Sequence, residues 1–167
     1  MMAATTPDLF FTHRANIARL LSEIPDPEIP VVSITDLGMI IDIAHENSRW
    51  IISMAPTYSG CPAIDVIPIM IKSRMEEEGV SADVHITLSP PWSTDWISEA
   101  GHAKLQAFGI APPSRMETDA ASEGRPRQCP QCGSSHVQLI SQFSSTPCKA
   151  AYKCLDCAEP FEYFKCY

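Results

Sequence analysis

Apolar positions first recur at helical spacing over residues 9–22, where Phe10, Ile17, Leu20 and Leu21 share a face. Pro25, Pro27 and Pro30 then bar a helix and hold Asp26-Pro27-Glu28-Ile29-Pro30 extended or turned. The period next shortens to two. Residues 38–46 read as a strand with Ile41 and Ile43 on one side, Asn47-Ser48 as a turn, and residues 50–55 as the return strand of a hairpin. Helical spacing resumes over residues 62–79. There Ile64, Ile67, Ile71 and Met75 form a stripe, Pro62 suits the first turn, Pro68 predicts a kink, and Gly79 suits the stop. Residues 80–88 read as a third strand, with Val84, Ile86 and Leu88 alternating against Asp83, His85 and Thr87. A last helix over residues 95–108 begins at Ser93, Thr94 or Asp95 and ends near Gly109.

This order predicts a small α+β domain over residues 9–111, with helices packed on a small sheet. Residues 112–126 carry prolines, Gly124 and scattered charge without an apolar period, and read as a linker. Residues 127–167 read as a β-ribbon, out over 136–143, back over 149–153, with a third strand over 161–167. Trp92 and Trp96 suit core or interface positions, and Glu76-Glu77-Glu78 the solvated end of a helix. The apolar and aromatic end at 161–167 is the expected docking surface.

The 167 residues are 45% apolar and 19% charged, a globular balance. Twenty acids against twelve bases give a net charge of −8, all of it within residues 1–110. That excess argues against nonspecific attraction to nucleic acid or an anionic membrane. The apolar stretches fall far short of a bilayer span of ~20 residues. Residues 1–8 lack the basic and apolar regions of a signal peptide, and seven cysteines is an odd number. A reducing cytoplasm is therefore expected, where clustered cysteines mean metal or reactive thiols more often than disulfides.

Six of the seven cysteines lie from Cys129 onward. Cys129-Pro130-Gln131-Cys132 and Cys154-Leu155-Asp156-Cys157 are two C-x-x-C pairs, 21 residues apart. A tight turn at each pair aims two sulfurs at one ion, and four thiolates complete the tetrahedron of a structural zinc. A tail of about 40 residues has too little core to fold without such a clip. Iron or an iron–sulfur cluster is the other ion that this ligand set suits. His136 is an alternate ligand, but four cysteines already fill the site. Cys148, in Thr146-Pro147-Cys148-Lys149, is either a buried small residue or an exposed thiol beside a cation, and Cys166 reads as buried.

Cys61 stands alone in the first part, in Pro56-Thr57-Tyr58-Ser59-Gly60-Cys61-Pro62, between a predicted strand and helix. A helix N-terminus there would lower its pKa and enrich the thiolate. Asp26 and Glu28 are candidates to converge on the same end of the sheet. The alternative is a capping turn with an incidental buried cysteine. No histidine base lies near in sequence, and no phosphate loop or dinucleotide fingerprint is present.

Asp26-Pro27-Glu28-Ile29-Pro30, Thr35-Asp36-Leu37-Gly38 and Pro56-Thr57-x-x-Gly60-Cys61-Pro62, in that order, resemble the MIP18-like family of iron–sulfur assembly factors. The ribbon, with residues 145–149 and the closing 161–166, narrows the resemblance to the accessory proteins encoded with bacterial phenylacetyl-CoA epoxidases. The resemblance implies a small α+β fold with helices on a sheet, followed by a β-rich zinc ribbon. It implies that Cys61 is the key cysteine, that Asp26, Glu28 and Thr57 are its accompanying groups, and that Cys129, Cys132, Cys154 and Cys157 are the ribbon's metal ligands. It further implies a transient iron or iron–sulfur cargo at the Cys61 site. The implied partner is a protein client, the di-iron oxygenase or the flavin and [2Fe–2S] reductase component of the epoxidase. Ala158 departs from the ribbon pattern, where glycine is common.

An accessory or maturation role in aerobic phenylacetate degradation, rather than catalysis, follows as the leading expectation. A permanent structural subunit, a nucleic-acid-binding zinc ribbon and a thiol enzyme using Cys61 are the alternatives. A homodimer is compatible with the sequence.

Overall fold

The computed structural model describes residues 7–58, 60–113 and 124–165, of which 7–12 by their backbone alone. Helix α1 (Pro7–Ser22) leads into a long loop and then the hairpin β1 (Ile40–Glu46) and β2 (Arg49–Met54). After a 3-10 turn at Pro62–Ile64 come α2 (Ile67–Glu77) and β3 (Ala82–Ile86). A second 3-10 turn at Thr94–Trp96 precedes α3 (Glu99–Phe108) and the short β4 (Ile110–Ala111). The ribbon supplies β5 (Val137–Ser141), β6 (Lys149–Cys154) and β7 (Pro160–Phe164). Two sheets result, in the orders β1-β2-β3 and β4-β7-β6-β5. β1 and β2 pair antiparallel, and β3 joins β2 in parallel after the α2 crossover. Among the described residues no helix is long and apolar enough to cross a membrane.

Buried side chains of α1 (Ile17, Leu20, Leu21), β2 (Ile52, Met54) and α2 (Ile67, Ile71, Met75) form the main core. The proline-rich loop belongs to its centre rather than its edge. Ile24, Ile29, Val32, Ile34, Leu37 and Met39 are all buried. The loop's backbone is satisfied internally: Asp26 N–H donates to Val32 O at 2.9 Å and Ile34 N–H to Ile24 O at 3.0 Å. Gly38 closes the loop at φ +66°, and a Cβ there would lie 2.3 Å from Trp96 O. Asp36 ties the loop to α3. It accepts from Ser33 N–H and from Lys104 Nζ at 2.6 Å. Burial pushes its carboxyl up, but Lys104 and Ser33 outweigh that and hold it below the usual carboxylate range.

Several expectations change. The helix expected over 62–79 is divided, because Pro68 lacks an N–H and is accepted only in a first turn. It stands in the first turn of α2, so it starts that helix instead of kinking a longer one. The pairing of β1 shifts between Ile40 and Asp42, leaving Ile41 exposed while Ile40 and Ile43 pack on the core. Ile86 and Leu88 are exposed too, since β3 ends at Ile86 and is an edge of its sheet. Asp95 and Trp96 fall in the 3-10 turn. α3 begins after Ser98, whose Oγ accepts from Gly101 N–H at 2.9 Å. The proposed linker lies largely outside the described residues, as do Cys166 and Tyr167.

The ribbon is fastened to the first core. β4 pairs in parallel with β7. Phe164 and Cys148 are buried among the first domain's core residues. Trp92 meets Phe164 edge-on, with ring centroids 6.1 Å apart, and its Nε1–H donates to Leu37 O at 2.8 Å. The expectation that residues 161–167 form an exposed docking end therefore fails for the described part: Phe161, Tyr163 and Phe164 are all buried.

Candidate metal-handling and zinc-ribbon sites

The two C-x-x-C turns come together at the end of the ribbon. Gly133, at φ +75°, closes the first turn, and its N–H donates to Cys129 O at 2.9 Å. The sulfurs of Cys129, Cys132, Cys154 and Cys157 all lie within 4.8 Å of one another. Cys129 and Cys157 are 3.8 Å apart and Cys132 and Cys154 3.5 Å. A tetrahedron with metal–sulfur bonds of about 2.3 Å has edges of about 3.8 Å, so the quartet fits a thiolate-bound zinc. His136 is not among these ligands. Its Nδ1 lies 3.2 Å from Asp156 Oδ1, and Asp156 also accepts from Ser134 Oγ, linking the two turns from outside.

Ala158 sits at φ +65°, where a Cβ is disfavoured by roughly 1 kcal/mol. Ala158→Gly should therefore stabilise the metal-bound ribbon by up to about 1 kcal/mol, after the greater freedom of glycine in the unfolded chain is offset. The midpoint of metal loss against a chelator checks this, and an unchanged or lower midpoint would contradict it.

The second site assembles where the proline-rich loop meets the turn after β2. Asp26 Oδ1 accepts from Glu28 N–H at 2.9 Å and Ile29 N–H at 2.8 Å, which bends the chain at Pro27 and presents Glu28 half-buried. Asp26 itself is buried, and burial pushes its carboxyl up against the pull of those N–H donors and of Lys149. Cys61 follows a turn in which its N–H donates to Tyr58 O at 3.2 Å, with Thr57 buried beside it. An apolar pocket of about 430 Å³ opens beside Thr57, lined also by Tyr58, Leu88, Pro91 and Trp92.

The surroundings of Cys61 oppose the expected thiolate. Its pKa is raised, first by burial and then by the nearby charges of Glu28 and Asp26, against the help of Ala63 N–H and Thr57. Only a three-residue 3-10 turn follows Cys61, too short to supply the expected helix field.

The structure thus brings Cys61, Asp26, Glu28 and Thr57 together, and it adds a residue whose place the sequence left open. Cys148 is buried, its thiol donating to Glu28 Oε2 at 3.7 Å and contacting Thr146 Oγ1 at 3.0 Å. Burial above all raises its pKa to about 11. The exposed, cation-activated reading of Cys148 is therefore excluded. The neighbouring Lys149 is buried and turned away to Glu162 Oε2 at 2.8 Å. The contact of Cys148 with Glu28, across 120 residues, left no local signal in the sequence.

Comparison with known proteins agrees with this two-part arrangement. Residues 113–165 match the PaaD zinc beta ribbon domain, and residues 14–87 match the iron–sulfur cluster assembly protein family. A protein of Escherichia coli (strain K12) assigned to the 1,2-phenylacetyl-CoA epoxidase as one of its subunits is 46% identical over 148 residues, covering 88% of this chain and 89% of that protein. The Fe-S protein maturation auxiliary factor YitW of Bacillus subtilis (strain 168) is 34% identical over 100 residues, 58% of this chain and 94% of that one. Among solved structures, a domain of unknown function, DUF59, from Bacillus anthracis superposes with a TM-score of 0.53 at 26% identity, covering 57% of this chain and 92% of the other.

Proposed function

The chain belongs to the PaaD family, an iron–sulfur assembly domain joined to a zinc β-ribbon, and from that premise we propose that it is a cytoplasmic maturation factor for the iron or iron–sulfur centre of a phenylacetyl-CoA epoxidase component. Cys61 is the working thiol in this reading, with Asp26, Glu28 and Thr57 around it. The observation that carries it is the convergence of a thiol, two carboxyl groups and a hydroxyl in one mostly buried place. Such a place takes up a thiophilic cation in exchange for protons. The ribbon holds a zinc on Cys129, Cys132, Cys154 and Cys157 as a structural ion. Residues 9–111 and 127–167 act as a cargo module and a bracing module joined by 112–126.

The test is the iron content of the oxygenase and reductase components, each purified from cells with and without this chain. In its absence the client is expected at normal protein level with its iron depleted. Fully metallated client that lacks activity only until this chain is added back would instead favour a permanent structural subunit.

A further inference from the structure

The ribbon carries Cys148 into the buried core that also holds Cys61, and its position is braced independently of its thiol. Glu162 accepts from Ser144 Oγ at 2.6 Å, Ser145 N–H at 3.1 Å and Ser145 Oγ at 2.7 Å, and pairs with Lys149. Lys165 N–H donates to Cys148 O at 2.9 Å. The backbone of residues 144–149 is thus pinned on both sides while the thiol points at Glu28 Oε2. Cys148 and Cys61 are buried in the same core and lie close enough for charge on one to oppose charge on the other.

Packing alone does not account for this arrangement. A small apolar residue would fill the space without setting a thiol against a half-buried carboxylate. Nor is the local cation available, since Lys149 is engaged by Glu162. Two sulfurs and one carboxylate are instead a donor set for a borderline-soft divalent cation, softer than the all-oxygen cages of calcium and magnesium.

Resting on the proposed role of Cys61, we propose that Cys61, Cys148 and Glu28 together form a docking site for one divalent cation of the iron(II) class, complete only when the ribbon is packed on the first domain. Each thiol releases its proton to solvent as its sulfur bonds to the metal, and no electron is transferred. The ribbon quartet has its ligand atoms already gathered within 4.8 Å. Among the described residues that quartet is the only such gathered group, so the site at Cys61, which draws its ligands from two domains, would need side-chain rotation to close on an ion.

Cobalt(II) is the probe, titrated without oxygen into the reduced, zinc-loaded full chain, with zinc retention followed by elemental analysis. The wild type should take up one further equivalent, with sulfur-to-cobalt charge-transfer absorption. Cys148→Ser should lose about half of that absorption and bind cobalt at least about tenfold more weakly while keeping its zinc. Glu28→Gln, which preserves volume and both thiols, should keep the absorption and bind more weakly, and it decides the matter if Cys148→Ser misfolds. Unchanged cobalt affinity in Glu28→Gln or in folded Cys148→Ser, or no uptake beyond the zinc, overturns the site. Cobalt binding that owes nothing to Cys148, while client iron still depends on Cys61, would remove this inference and leave the maturation role. Cobalt held by both thiols while client iron is independent of Cys61 would do the reverse.

Discussion

Cys132→Ser should strip the ribbon of its metal and destabilise more than the ribbon. Cys132 is exposed, so the substitution removes little packing of its own. What it removes is one of four ligands for an ion whose binding free energy, about 10–16 kcal/mol in comparable small domains, is folding free energy. The ribbon's own core is little more than Tyr152, Cys154, Phe161 and Tyr163 with a few small neighbours, too small to hold without the ion. Phe164 and Cys148 would leave the first domain's core with it, and Trp92 would lose its edge-on partner. Exposing large apolar side chains costs about 1.5–3 kcal/mol each. A domain of this size loses about 4–8 °C per kcal/mol, so the first domain should melt lower by roughly 10 °C. Elemental analysis should find the zinc gone, and protease should open residues 124–165. Full zinc, or a first domain that melts as before, would contradict the fastening of the two parts.

Cys61 should react slowly in the native protein. Burial and two neighbouring acids keep it protonated, so thiolate forms only as pH rises through a value above the ordinary 9.0. Alkylation followed by peptide mass analysis resolves Cys61 from the other thiols. At neutral pH the rate should be at least about tenfold below that of a free cysteine, and the midpoint of its pH profile should lie above 9.0. A midpoint below 9.0 would restore the activated thiolate and contradict the buried, protonated resting site.

The parts legible in the sequence were those written in short spacings. The two C-x-x-C turns declare their ligands locally, and the hairpin around Asn47-Ser48 and the stripe of Ile67, Ile71 and Met75 follow from periodicity. The parts that were not legible depend on tertiary contact. Apolar alternation put Ile86 inside, but an edge strand left it exposed. The aromatic tail looked like a free surface until Trp92 and the first core covered Phe164. Pro62 points to a helix N-terminus after Cys61, yet the second proline, Pro68, sits in the first turn of a helix that starts at Ile67, and the field is lost. Cys148 carried no motif linking it to Glu28, because that contact exists only once the ribbon has folded back.

In the proposed role the Cys61 site supplies metal to a protein client. Its most direct test is the iron per protomer of the epoxidase components purified from cells in which this chain carries Cys61→Ser, with zinc content and melting of the variant measured alongside. The variant should be folded and zinc-bound, and the client should be made in normal amount but depleted of most of its iron. Client with its full complement of iron beside that folded variant would contradict it.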